Sequence, residues 1–126
     1  MVIHYFFASG GLNQGASPKE YVLQGLSGCT GMDIVYYLKK HKQELLSFEI
    51  STEADLTNTT PKYFAEVRVH FNFLGDKLDP EIVKSSVIKS MTKYCGVSYM
   101  ISRVCPVKYK IELNGVALAE GQAKFD

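Results

Sequence analysis

Among the 126 residues, the groups able to do covalent chemistry at sulfur are Cys29, Cys95 and Cys105. A thiolate attacks an electrophilic oxygen, passes through a sulfenic acid, and condenses with a second thiol to a disulfide. Cys29 sits in Gly28-Cys29-Thr30-Gly31, so little bulk along the chain shields its sulfur. Cys95 sits in Lys93-Tyr94-Cys95-Gly96-Val97-Ser98. Cys105, before Pro106, reads as a structural or incidental thiol. An odd cysteine count at wide spacing is not a secreted disulfide framework. His4, His41 and His70 are far apart, and no close Cys/His pairs suggest zinc, so neither a metal nor a cofactor is expected.

The elements that must position these thiols alternate between helix and strand. Val2 to Phe7 reads as a short strand, followed by a Gly- and Asn-rich loop. Ser17 as N-cap, Pro18 at the first helical position and Glu20 in a capping box then open a long helix. This helix runs to about His41, with Lys39 and Lys40 at the negative end of its dipole. Alternation over Phe48–Leu56 and again over Ala65–Phe73 predicts two strands forming a hairpin. Asp79 and Pro80 open a second helix. Val83, Val87, Met91 and Cys95 recur every four residues, which places Cys95 on that helix's apolar face. Val97 to Val104 continues as a short third helix. A strand follows from Pro106 to Leu113, and Asn114-Gly115 signals a hairpin returning through Val116–Glu120. The pattern is α+β, with a long central helix and a helix pair packed on an antiparallel sheet, in a single domain over residues 1–126.

Gly25, Gly28 and Gly31 interrupt the long helix, each at a cost of about 1 kcal/mol relative to Ala. Two explanations stand side by side. Small residues let another backbone approach, leaving Cys29 buried and inert; or they open access to its sulfur. If the helices cross near Gly28 and Gly96, Cys29 and Cys95 approach each other, and a reversible disulfide needs Cα atoms within about 7 Å. Asp33, one helical turn beyond Cys29, shares its face; pairing or hydrogen bonding at a subunit interface is expected for it.

The remaining composition narrows the function classes. Fourteen Lys and Arg against 13 Asp and Glu leave a formal charge of +1, without the basic footprint of a nucleic-acid binder. From Tyr21 to Leu38 the only charge is Asp33, yet Gln24, Ser27, Thr30 and three glycines argue for a protein-buried helix over a membrane span. No signal peptide is evident, and a reducing cytoplasm is the expected compartment. A helix this poor in charge also leaves apolar surface for a second subunit to cover.

Taken together, Ser17-Pro18-Lys19-Glu20-Tyr21-Val22-Leu23, Gly28-Cys29-Thr30-Gly31-Met32-Asp33-Ile34-Val35 and Lys93-Tyr94-Cys95-Gly96-Val97-Ser98 resemble the OsmC/Ohr family, in particular its poorly characterised OsmC-like branch. The resemblance implies an α+β intertwined homodimer with both cysteines near the subunit interface. It implies that Cys29 attacks a small organic hydroperoxide, that Cys95 resolves the sulfenic acid, and that an external thiol reduces the disulfide, in oxidative-stress defence. Two departures accompany it. Lys19 stands where the family's peroxidases have a glutamate; Glu20 comes one residue later, rotated by about 100°, and is more simply the capping carboxylate. The arginine those peroxidases draw from the N-terminal sheet has no equivalent, since the arginines here are Arg68 and Arg103. The departures leave fold and dimer intact and admit a second reading, a non-catalytic dimer holding a small apolar ligand.

Overall fold

Ser17 opens the first element with the predicted chemistry: its Oγ accepts the Glu20 N–H at 3.3 Å, while Glu20 Oε1 accepts the Ser17 N–H at 2.9 Å. This capping box starts α1 (Pro18–Lys40). The computed structural model describes residues 17–125; the expected Val2–Phe7 strand, most of the loop after it and His4 lie outside them. Leu23, Leu26, Ile34 and Leu38 bury one side of α1. The opposite side leaves Tyr21, Val22, Met32 and Tyr36 exposed, so the described residues do not bury this helix all round. No helix among the described residues is long and apolar enough to cross a membrane.

The expected strands form β1 (Ser47–Leu56), β2 (Phe64–Leu74), β3 (Val107–Leu113) and β4 (Val116–Gln122), adjacent in that order. The first and last pairs are antiparallel hairpins, but β2 and β3 run parallel, with Val67 opposite Val107 and Phe71 opposite Ile111. The expected all-antiparallel sheet is therefore mixed. Alternation reports which face a side chain takes but not strand direction. Direction is set here by the helical crossover between β2 and β3, since parallel neighbours need a long connection. Asn114 (φ 52°) and Gly115 (φ 80°) both take positive φ, the backbone that a tight two-residue hairpin requires.

The crossover comprises α2 (Pro80–Lys89), a π-helical turn over Ser90–Tyr94, and α3 (Gly96–Ser102). Asp79 Oδ1 caps α2 by accepting the Glu81 N–H at 2.9 Å. The core lies between the helices and one sheet face: Val67, Val69, Phe71 and Phe73 of β2 are fully covered, as are Val83, Val87 and Met91. Phe48 stacks on Phe73 with ring centroids 4.5 Å apart. The architecture is α+β, with helices on one side of a four-stranded sheet.

Candidate functional site

Cys29 projects half-buried from the middle of α1, and Asp33 follows one turn later. Its carboxylate oxygen Oδ2 accepts a hydrogen bond from Ser90 Oγ at 3.0 Å. The hydrogen bond expected for Asp33 is present, and this partner lies within the same chain, on the π turn.

Cys95 reaches the site by a different route from the one its spacing predicts. After Lys89 the helix widens, and the Cys95 N–H bonds to Ser90 O at 2.9 Å, an i to i−5 contact. Cys95 then leaves helical geometry (φ −80°, ψ 109°) and becomes the N-cap of α3, its Sγ accepting the Ser98 N–H at 3.3 Å. It is therefore not on the face of α2. It is nevertheless buried with Val83, Val87 and Met91, at 1% exposure. Ser98 Oγ ties the junction back by donating to Met91 O at 2.9 Å.

This junction packs against α1, so that Cys29 Sγ, Cys95 Sγ and a carboxylate oxygen of Asp33 all lie within 4.8 Å of one another. All three cysteines are free. A Cβ added at Gly28 or Gly96 would meet nothing within 4 Å, and the same holds at Gly25. Among the described residues, then, these glycines do not serve a close helix crossing; of the two explanations, an open flank beside Cys29 fits Gly28. Cys105 is buried apart from this cluster, near Glu66.

Burial pushes the Cys95 thiol up to about 12, reinforced by its hydrogen bond with Cys29; the Ser98 and Val97 amides pull the other way without prevailing. Cys95 thus holds its proton at neutral pH. Both arginines are engaged elsewhere. Arg103 lies over the Tyr99 ring at 5.8 Å, and Arg68 is paired with Glu53, Asp55 and Glu66. Lys19 lines a separate groove with Val22, Lys62, Tyr63 and Phe64. A second groove runs along α1, lined by Gly28, Met32, Val35, Lys39, Leu45 and Phe48; neither Cys29 nor Cys95 lines it.

The arrangement can form a disulfide, pass a proton between sulfur and carboxylate, or offer two sulfurs and an oxygen to an ion. Asp33 and Ser90 are the members that sequence reasoning placed least well. The Cys29–Asp33 spacing was a usable signal, but nothing in the sequence pairs Asp33 with Ser90. Spacing along the chain does not reveal this donor set, because Cys95 comes from a remote segment.

A family model described as OsmC-like protein matches residues 11–110. The chain is similar to protein YhfA of Escherichia coli K12, 29% identical over 97 residues that cover 77% of this chain and 72% of that one. It is also similar to the crystal structure of a hypothetical protein from Aquifex aeolicus VF5, at TM-score 0.72 and 24% identity, covering 90% of this chain and 78% of that one. A third likeness is to the organic hydroperoxide resistance protein OsmC of Legionella pneumophila, at TM-score 0.62 and 22% identity, covering 82% and 73%. At this level of identity the solved structures show the fold.

Proposed function

The chain belongs to the OsmC-like protein family, and on that premise we propose that it is a thiol-dependent peroxidase for small organic hydroperoxides. The observation that carries this reading is the three-atom cluster of Cys29 Sγ, Cys95 Sγ and an Asp33 oxygen, all within 4.8 Å. Hydroperoxide resistance is also what the Legionella neighbour is named for.

In this reading Cys29, the more exposed of the two thiols, gives its proton to Asp33. Its thiolate attacks the terminal oxygen of the hydroperoxide, the O–O bond breaks, and the departing alkoxide takes the proton back from Asp33 to leave as alcohol, which restores the carboxylate. Cys29 is then a sulfenic acid. The Cys95 sulfur attacks it, the S–O bond breaks, and the Cys95 proton leaves with the hydroxyl as water. Because Cys95 keeps its proton so firmly, this second step needs a base, and Asp33 is placed to serve. An external thiol reduces the disulfide and is itself oxidised to a disulfide. The groove beside Gly28 and Met32 on α1 offers largely apolar walls to a small molecule.

The same α1 face supports a homodimer. Met32 and Tyr36 are 77% and 70% exposed, and the space beyond Gly25 and Gly28 is open. A second copy laid there would cover apolar surface that one chain leaves in water. Light scattering at micromolar concentration is expected to give twice the chain mass; a monomeric mass would refute the dimer.

The peroxidase reading is tested by treating reduced protein with a stoichiometric organic hydroperoxide and counting thiols. Loss of Cys29 and Cys95 as a mutual disulfide, with Cys105 retained, is expected. Retention of all three thiols, or peroxide consumption by Cys29→Ser as fast as by the parent, would defeat it. The apolar groove also favours a second reading, ligand binding with quiescent cysteines. Native mass spectrometry showing a retained ligand, together with no peroxide turnover, would select that one.

A further inference from the structure

We propose that, in the reduced protein, Cys29, Cys95 and Asp33 bind one thiophilic divalent cation per chain, with zinc the representative ion. The three donor atoms lie within 4.8 Å of one another. Around a tetrahedral zinc, with Zn–S near 2.3 Å and Zn–O near 2.1 Å, neighbouring donors stand roughly 3.5–4 Å apart. The set must therefore close by about an ångström, which torsions of the half-buried Cys29 and Asp33 side chains supply.

Two of the donors share one rigid element. Cys29 and Asp33 stand four residues apart on α1, so their side chains emerge on one face. Cys95 comes from the π-turn junction, where the Ser98 N–H and the Ser90 backbone fix its position. Ser90 Oγ holds Asp33 Oδ2 at 3.0 Å and orients the carboxylate, the kind of outer support that ligating carboxylates use. Two sulfurs and one oxygen select zinc over magnesium or calcium, which prefer all-oxygen sets. Three protein ligands leave a fourth position for water or another small donor. Binding exchanges the thiol protons for the ion: both sulfurs bind as thiolates, the protons pass to solvent, and no electron is transferred.

The site stands independently of the peroxidase reading, although both occupy the same sulfurs, so bound zinc would block attack on a peroxide. The test uses the full chain, reduced and held without oxygen, titrated with zinc against a chromophoric chelator and separately with cobalt(II). One equivalent per chain is expected, with thiolate-to-cobalt charge-transfer absorption and tetrahedral visible bands. Cys29→Ser and Cys95→Ser should each weaken zinc binding by about a hundredfold, and Asp33→Asn by about tenfold with altered cobalt bands, judged by the usual effect of losing a ligand or its support. Cys105→Ser should bind as the parent does, and circular dichroism verifies that each variant is folded. Unchanged affinity in folded Cys29→Ser, or unchanged affinity and cobalt spectrum in folded Asp33→Asn, would overturn the three-ligand site. So would half an equivalent per chain. No arm contains peroxide, so failure here and failure of peroxide reduction are read separately.

Discussion

On the outer face of the sheet, Arg68 of β2 reaches Glu53 at 2.9 Å, Asp55 at 3.0 Å and Glu66 at 2.7 Å, and Lys108 of β3 reaches Glu66 at 2.7 Å. On the helical side, Cys29, Cys95 and Asp33 gather around a hydroxyl contact from Ser90 to Asp33. Both regions concentrate ionisable groups, and they settle their charge in opposite ways. In the first, opposite charges meet across strands in partial solvent. The guanidinium holds its proton more firmly than usual, and Glu66 is held below its ordinary value by its bonds to Lys108 and Arg68. In the second, burial holds the proton on Cys95 instead. Paired charges at a surface complete a structure, whereas a desolvated acid without a cation retains its proton until a reaction or an ion removes it.

The largest expected difference between the regions is in peroxide reduction. Cys29→Ser should reduce stoichiometric peroxide consumption to background while Arg68→Gln leaves it unchanged, as followed by residual peroxide and thiol counts. Loss of turnover in Arg68→Gln would make the sheet face part of the site and break the contrast.

Next in size is Asp33→Asn, which should slow disulfide formation about a hundredfold, within the usual range for removing a general acid–base group. The rate should also rise more steeply with pH than in the parent, because hydroxide replaces the lost base. A uniform loss with an unchanged pH profile would reduce Asp33 to a structural role.

A smaller effect concerns stability in base. The folded Cys95 thiol keeps its proton to about pH 12, whereas an unfolded thiol releases it near 9.0. Between these values the unfolded state binds fewer protons, so stability falls as pH rises. Urea unfolding between pH 8 and about 10.5 should show this decline, and Cys95→Ser should flatten it. Equal slopes would show that burial does not hold this proton.

The smallest effect belongs to the sheet face. Glu66→Gln should shift the urea midpoint only slightly at neutral pH, because exposed ion pairs contribute little. Since folding lowers the Glu66 value, its contribution is present above about pH 4.5 and is lost as pH falls through the folded value. Parent and variant should therefore converge in acid, as read from urea midpoints. Salt should narrow their difference as well.

Much of the scaffold was legible because its signals are local. The Ser17–Glu20 box, the Asp79–Pro80 start and the Asn114–Gly115 hairpin each specify their own backbone, and alternation marked the core faces of β1, β2 and β3. The parallel β2–β3 pairing was not legible, because it depends on how the crossover closes. Nor was the route of Cys95. Its four-residue spacing correctly implied burial, but burial was compatible with either an α2 face or an α3 cap, and the π turn decided between them. A hydrogen bond for Asp33 was expected, but its partner Ser90 was not legible, since sequence spacing says nothing about contacts between α1 and a segment beyond two strands.

The amino-acid sequence alone determined the elements, their inward faces and the presence of two thiols in distinctive local settings, because capping, turn geometry and periodicity act over a few residues. Only the tertiary structure decided that the two sulfurs and Asp33 share one small space, that Arg68 is committed to the sheet face and that Gly28 borders an open flank. Those outcomes depend on helix α1 packing against a junction far along the chain. Such contacts are selected by how the whole core fills, not by any residue's neighbours in sequence.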